Sequence, residues 1–68
     1  MKRYRVGFTT EPDTITDGLG VKGYLYENEI GARSNLEFID EIDEKGNFVR
    51  MVYRYQRGMG LLVDYNSL

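Results

Sequence analysis

A chain of 68 residues that contains neither cysteine nor histidine has few ways to stabilise a fold. Domains of this size bury only about 60% of the surface that their unfolded chains expose, and many rely on disulfides or metal ions. Disulfides and zinc sites made of thiolates and imidazoles are excluded here by composition. The sequence therefore predicts one domain, residues 1–68, that gains burial by binding a second copy of itself or another protein.

An alternating pattern near the N-terminus predicts the first strand. From residue 3 to residue 10 the pattern has period two and places Tyr4, Val6 and Phe8 on one side. Pro12 ends the strand because proline cannot donate a hydrogen bond to a sheet.

The next stretch predicts a short edge strand, a turn and a second long strand. The short strand covers residues 14–16, and Asp17-Gly18 is a typical turn dipeptide. Residues 19–27 then predict a strand with Val21 and Leu25 on one side. The other side of that strand carries Lys22, Tyr24 and Tyr26. A loop is expected from residue 28 to residue 35.

Residues 18–23 match the dinucleotide-binding fingerprint, a glycine-rich pattern of the form G-x-G-x-x-G. That motif binds a pyrophosphate only where a strand enters the loop and a helix leaves it. Here a strand is predicted to continue through residues 22–27, and the chain is too short for the doubly wound sheet. We interpret the three glycines as residues that permit a turn and tight curvature.

Residues 34–43 fit two structures. Ser34 and Glu37 have the spacing of a capping box, which favours a short helix near residues 35–44. The β-branched and aromatic content, and the turn signal of Asp43 followed by Gly46, favour a hairpin instead. We predict the hairpin and keep the helix as the alternative.

The register of this hairpin follows from which side chains it places together. A three-residue loop would pair residues whose numbers sum to 90 and would mix the two faces, whereas a four-residue loop gives a sum of 91. We predict the sum of 91. On the core side it pairs Ile42 with Val49, Asp40 with Met51, Phe38 with Tyr53, and Leu36 with Tyr55. On the outer side it pairs Glu41 with Arg50, Ile39 with Val52, and Glu37 with Arg54.

A turn at residues 57–60 and a last strand at residues 61–65 complete the expected elements. The predicted fold class is all-β: a small single domain of about five mostly antiparallel strands, arranged as a curled sheet or a small barrel. The alternative is an α+β fold with the short helix near residues 35–44.

Catalysis is not predicted. The chain offers no histidine or cysteine, and a domain this small has little cleft in which to desolvate a carboxylate and raise its pKa. The acidic run at residues 40–46 fails as a calcium loop because Lys45 and Val52 stand where ligands are needed. We therefore predict a non-enzymatic protein with no cofactor and no metal site.

The charge pattern argues against a generic binder of phosphate, and the missing cysteine fits a reducing compartment, so a cytoplasmic protein is expected. The net charge is −2, but residues 1–10 carry +3, residues 11–44 carry −8 and residues 45–68 carry +3. Basic strands that fold against acidic ones explain this division. No apolar run approaches the roughly 20 residues that span a bilayer, so no membrane partner is expected.

The predicted binding surface is the outer face of the hairpin, where apolar side chains are surrounded by charged ones. Its members are Ile39, Phe48, Val52, Arg50, Arg54, Glu37 and Glu41. This layout predicts a small protein-binding module that acts as an adaptor or inhibitor of a larger protein. Small acidic chains without catalytic equipment are typical of phage-encoded modulators of host enzymes, which is one class of such modules.

The alternative function is nucleic-acid binding by a small β-barrel. It depends on arginine and lysine side chains that neutralise phosphates and on tyrosines that stack on bases. The candidate residues are Arg3, Arg5, Lys22, Tyr24, Tyr26 and Arg57. This alternative ranks second because Arg50 and Arg54 are expected to be paired with carboxylates.

Overall fold

Five strands and one α-helix are formed by the residues that the computed structural model describes, which are 1–62 and 68. The elements in chain order are β1 (Arg3–Phe8), β2 (Thr14–Thr16), α1 (Gly18–Glu29), β3 (Leu36–Ile42), β4 (Phe48–Gln56) and β5 (Met59–Leu62). Neighbouring strands pair antiparallel in the order β2-β1-β3-β4-β5. The predicted set of about five antiparallel strands is confirmed. Within the described residues the sheet is open, with β2 and β5 at its edges.

Residues 19–27, predicted as a strand, belong to α1. Asp17 is the N-cap of the helix, and its Oδ1 accepts a hydrogen bond from the Gly20 amide at 2.9 Å. Val21 and Leu25, about one turn apart, are both buried. A spacing of four residues also places two side chains on one side of a strand, so this apolar pair fits both structures. The predicted strand is wrong, and the residues that cap and bury the helix explain why.

The region that the sequence offered as an alternative helix is a strand. Residues 35–44 contain all of β3, which confirms the preferred hairpin. The helix of the α+β alternative is therefore present, but at α1 and not near residues 35–44. Across residues 1–62 and 68, no helix is long and apolar enough to cross a membrane.

The core lies between α1 and one face of the sheet, and α1 contacts β1, β2 and β3. The buried side chains are Tyr4, Val6, Phe8, Val21, Leu25, Leu36, Ile39, Val52 and Tyr53. The prediction that Tyr4, Val6 and Phe8 share one side of β1 is confirmed. Because neighbouring side chains on a strand alternate, Arg3 and Arg5 lie on the opposite face, away from α1.

The register of the β3–β4 hairpin changes along its length. The predicted sum of 91 holds for Asp40 with Met51 and for Glu41 with Arg50. Two irregularities shift the remaining pairs. The paired residue numbers sum to 92 at the end of the hairpin away from the turn and to 90 beside the turn. The shifted pairs are Phe38 with Arg54, Ile39 with Tyr53, and Ile42 with Phe48.

The irregularity beside Met51 changes the side of the sheet on which some residues of β4 lie. An extra residue in one strand directs two consecutive side chains toward the same side, and here both Val52 and Tyr53 are buried. Tyr53 was correctly predicted in the core. Tyr55, predicted beside it, is 51% exposed, and Phe38 pairs with Arg54 and not with Tyr53.

The β3–β4 turn is held by the side chain of Asp43. Asp43 Oδ1 accepts hydrogen bonds from the amides of Lys45 and Asn47, each at 2.9 Å. The Gly46 amide donates to the Asp43 carbonyl at 3.0 Å, and Gly46 has a φ of 87°, which favours glycine. The predicted turn at residues 43–46 is therefore confirmed, but the predicted four-residue loop is wrong: the Asp43 amide donates to the Asn47 carbonyl at 2.9 Å, which leaves a loop of three residues, 44–46.

We expect Asp43 to make part of the stability dependent on pH. The amide hydrogen bonds, chiefly that of Asn47, hold the pKa of Asp43 below its ordinary value. The stabilisation is fully present above the pKa of the unfolded chain and is lost as pH falls through the lower pKa of the folded chain. Asp43→Asn should therefore lose less stability than the unchanged chain between pH 7 and pH 3 in urea titrations. Glu44→Gln removes a charge from the same turn and is the control; an equal effect of both changes would contradict the assignment.

The β4–β5 turn is tighter than predicted. The sequence placed it at residues 57–60, but the loop contains only Arg57 and Gly58, with φ of 52° and 78°. Positive φ at both positions is the signature of a type I′ turn, whose twist matches an antiparallel hairpin. The last strand consequently starts at Met59. The predicted strand at residues 61–65 starts too late, and its part from residue 63 onward lies outside the described residues.

Candidate functional site

The centre of the predicted binding surface is buried. Ile39 is 0% exposed and Val52 is 1% exposed, and both pack in the core beneath α1. Phe48 is exposed at the far end of β4, where it pairs with Ile42 on the face away from α1. The predicted outward patch around Ile39 and Val52 is therefore wrong, and Phe48 lies apart from both.

The two arginines of the predicted surface are engaged with carboxylates on β3. Arg50 Nε contacts Glu41 Oε1 at 2.7 Å, which confirms that cross-strand pair. Arg54 contacts Asp40 at 3.1 Å and does not pair with Glu37 as predicted. Glu37 is exposed. The two ion pairs stabilise the hairpin, and the charged residues of the predicted surface do not surround a common apolar centre.

The guanidinium of Arg54 also covers an aromatic ring. Its Cζ lies 4.9 Å from the centroid of the Phe38 ring, on the face of the sheet away from α1. Gly7 pairs with Phe38, and a methyl group at Gly7 would overlap that ring. The absence of a side chain on Gly7 thus lets the Phe38 ring lie flat across β1.

The alternative nucleic-acid residues are divided between the two faces of the sheet. Arg3 and Arg5 lie on the face away from α1, where Arg5 pairs with Asp40 and its Nη2 donates to the Gly46 carbonyl at 3.4 Å. The other candidates are on α1 or in the β4–β5 turn, namely Lys22, Tyr24, Tyr26 and Arg57. They therefore do not form one basic aromatic surface.

Tyr24 is held in an aromatic and ionic cluster. Its ring meets the Phe8 ring edge to face, with centroids 5.5 Å apart, and Arg33 lies over both rings at 5.2 and 4.9 Å. Arg33 also contacts Glu27 at 3.1 Å and Glu11 at 3.3 Å. The hydrogen bond to Glu27 is the main cause that raises the pKa of Arg33. The cluster fixes the loop after α1 against β1, so Tyr24 is a structural residue.

A groove of about 690 Å³ lies between the C-terminal end of α1 and the strands β4 and β5. We call it the β5 groove. Its floor consists of Tyr53, Tyr55, Gly60 and Leu62, which pair across the two strands. Its wall consists of Leu25, Tyr26, Asn28 and Glu29 on α1, continued by Gly31, Arg33, Ser34 and Leu36. The volume is in the range of pockets that bind ligands or side chains of a partner.

The floor of the β5 groove depends on close packing at Gly60. A Cβ atom at Gly60 would lie 2.7 Å from the Tyr53 hydroxyl oxygen, so glycine allows the Tyr53 ring to cover β5. Asn28 Nδ2 donates a hydrogen bond to the same hydroxyl at 3.3 Å. This bond joins the wall of the groove to its floor.

Three exposed apolar side chains line the β5 groove. Tyr26 is 62% exposed, Tyr55 51% and Leu62 45%. Met59 and Leu61 are also exposed, but they alternate with Gly60 and Leu62 and therefore lie on the other face of β5. A local concentration of exposed apolar side chains, as in the groove, is typical of surfaces that bind another molecule.

The end of α1 brings negative charge to the β5 groove. The last turn of α1 contains no basic residue, and its carbonyl groups carry the partial negative charge of a helix C-terminus. Glu29 lines the groove, and it makes no ion pair or side-chain hydrogen bond with residues 1–62 or 68. Arg33 also lines the groove, but it is shared by Glu27 and Glu11. Among the described residues, Glu29 is therefore a groove carboxylate without a cation partner.

The sequence offered little signal for the β5 groove. Tyr55 was predicted in the core, Gly60 in a turn, and the apolar run at residues 61–63 could not be oriented. Only Tyr26 was a candidate, and it was assigned to nucleic-acid binding. The groove depends on where α1 ends relative to β4, which no local pattern specifies.

The glycine-rich motif at residues 18–23 does open a helix, contrary to the prediction. The strand that precedes it is β2, a three-residue edge strand paired antiparallel with β1. The Gly20 amide is already bonded to Asp17, so a carboxylate occupies part of the amide end of α1. Antiparallel pairing also differs from the parallel strand unit that positions a dinucleotide.

Across residues 1–62 and 68, no group of three or more aspartate or glutamate side chains is arranged to hold a metal ion.

Comparison of the chain with protein-family models, curated proteins and solved structures finds no match.

Proposed function

We propose that this chain is a non-enzymatic protein-binding module that acts as an adaptor or inhibitor of a larger protein, and that the β5 groove with the adjoining strand β5 is its binding surface. The observation that carries the proposal is the concentration of exposed apolar side chains there, including Tyr26, Tyr55 and Leu62. Aromatic residues at the centre of an interface supply much of its binding energy.

The size of the chain supports binding through this surface. A protein interface of ordinary size uses roughly 800 Å² of each partner. That area is about a sixth of the 4653 Å² that this chain exposes, so one interface covers a large continuous region. The β5 groove and the exposed strand beside it provide such a region.

Charge favours protein over nucleic acid as the partner. Arg3 and Arg5 lie on the face away from α1, while Lys22 lies on α1 itself, so their fields do not add over one surface. The β5 groove carries the uncompensated Glu29, which repels phosphate. We extend the proposal to a cytoplasmic protein of the phage-modulator type, whose partner is a host enzyme.

We expect photo-crosslinking to identify the β5 groove as the contact surface. p-Benzoylphenylalanine in place of Tyr55 should give one dominant crosslinked polypeptide in a lysate of the native host, because this side chain lies in the groove and is half exposed. The same group in place of Phe48 is the control, since Phe48 is an exposed aromatic residue on the same strand but on the other face. Leu62→Asp should reduce the Tyr55 crosslink at least about tenfold, as loss of an interface anchor does.

Three results would contradict the proposal. A crosslink from position 48 and not from position 55 would transfer the binding surface to the face away from α1. A crosslinked product that nuclease removes would favour the nucleic-acid alternative. A product of twice the chain's own mass would make a second copy, and not a larger protein, the partner.

A further inference from the structure

We propose that the partner presents an extended segment that pairs with β5 as a sixth strand, places an apolar side chain in the β5 groove and brings a lysine or arginine to Glu29. This inference rests on the proposed function and specifies how the surface is used. It follows from the edge of the sheet, from the direction of the backbone groups on β5, and from the charge at the mouth of the groove.

Within residues 1–62 and 68, strand β5 is an edge of the sheet without the usual protection against pairing. Edge strands commonly carry lysine, proline or a bulge that prevents another strand from adding. Residues 59–62 contain no charged residue and no proline, and their pairing with β4 is regular. The opposite edge, β2, has only three residues. An extended segment therefore finds its longer uninterrupted template on β5.

The two-residue turn determines which backbone groups of β5 face outward. In such a hairpin the residues that flank the turn, Gln56 and Met59, exchange hydrogen bonds, and the pattern then alternates along the strands. Arg54 and Leu61 form the next hydrogen-bonded pair. The amide and carbonyl groups of Gly60 and Leu62 consequently point away from β4, toward the position of an added strand.

The same alternation directs a side chain of the partner into the β5 groove. A residue that pairs with Gly60 lies on the same face of the sheet as Gly60, which is the floor of the groove. Because the Tyr53 ring already covers Gly60, a large apolar residue of the added strand packs beside that ring. Tyr55, which is half exposed beside Gly60, provides a contact surface for it.

Charge specifies the second requirement. Glu29 lines the groove at the negative end of α1, and within residues 1–62 and 68 no cation pairs with it. A lysine or arginine of the partner can satisfy this carboxylate once water is displaced. Strand β5 itself has no cation to offer, so we infer a different protein and not a second copy.

A displayed library of random nonapeptides, panned on the full chain and counter-selected on its Leu62→Asp variant, tests the inference. We expect the enriched sequences to alternate apolar and polar residues and to contain lysine or arginine. One enriched sequence is then made as a synthetic nonapeptide. N-methylation of every second amide in one register should weaken its binding at least about tenfold, while N-methylation of the intervening amides should have little effect.

The charge requirement is tested with the same nonapeptide. The Glu29→Gln variant should bind it about three- to tenfold more weakly than the unchanged chain does. If norleucine replaces the lysine or arginine of the peptide, the two chains should bind it equally.

The alternatives give different results. If N-methylation weakens peptide binding equally in both registers, or if no peptide is enriched, strand pairing is overturned. The proposed function still stands in that case if the crosslink from position 55 persists. An unchanged affinity of Glu29→Gln for the nonapeptide overturns the charge requirement. If sedimentation shows a dimer that a synthetic chain with N-methyl-Leu62 does not form, the edge pairs with a second copy and the inference is wrong. Loss of the crosslink itself overturns the proposed function.

Discussion

Val52→Asp should remove most of the stability of this protein, by about 4 kcal/mol or more, because an unpaired carboxylate would replace a buried methyl pair. Val52 is 1% exposed and packs beside Ile39 and Tyr53. A domain of this size has a total stability of only roughly 3–10 kcal/mol. Urea unfolding followed by circular dichroism measures the effect, and we expect little folded protein in neutral buffer without denaturant.

Val49→Asp is the matched control for this prediction. Val49 lies on the same strand and undergoes the same chemical change, but it is 49% exposed. We expect it to alter stability by less than about 0.5 kcal/mol, as surface changes usually do. If Val52→Asp is tolerated while Val49→Asp unfolds the chain, the faces of β4 are reversed. The outward patch expected from the sequence would then regain its support.

Val52 shows why a sequence pattern does not always predict the face of a strand on which a residue lies. Period two places alternate residues of β4 on opposite sides, and this predicts Tyr53 in the core and Val52 outside. An extra residue in the strand breaks the period once, so both side chains are buried. The hydrophobic pattern cannot locate such an irregularity, because Met51, Val52 and Tyr53 are apolar in every register. The strands were therefore predictable, and their facing only in part.

The helix was missed for a related reason. Val21 and Leu25 are four residues apart, and that spacing satisfies the period of a strand and the period of a helix. Three glycines in residues 18–29 are unfavourable in a helix, and two tyrosines favour a strand by propensity. The signal that decides for a helix is Asp17, which has the spacing to bond the Gly20 amide as an N-cap. It was interpreted as part of a turn.

The candidate site could not be predicted because it is a product of tertiary structure. The β5 groove exists where α1 ends beside the helix-facing side of β4 and β5. Its location depends on the order of the strands, and the pairing of β4 with both β3 and β5 is specified by contacts remote in sequence. Only the apolar, uncharged composition of residues 59–62 hinted at an exposed edge, and a core strand has the same composition.

Tyr53→Ala should lower the free energy of unfolding by about 3–5 kcal/mol, as removal of a buried aromatic ring does. Tyr53 is in the core cluster, covers Gly60 and accepts the hydrogen bond from Asn28. Tyr53→Phe removes only the hydroxyl and should cost roughly 1 kcal/mol. Urea titrations of both variants separate the contribution of the ring from that of the bond to α1. Equal effects of both would mean that the hydroxyl dominates.

Tyr55→Ala completes this comparison, because Tyr55 is two residues farther along β4 on the same floor of the β5 groove. It is half exposed and outside the core cluster, so its removal should cost less than about 1 kcal/mol of stability. It should nevertheless weaken binding of the partner at least about tenfold, since exposed aromatic residues in a groove are typical interface anchors. Stability and binding thus depend on neighbouring tyrosines that differ in burial. If Tyr55→Ala unfolds the chain, or leaves binding intact, the floor of the groove is only an extension of the core.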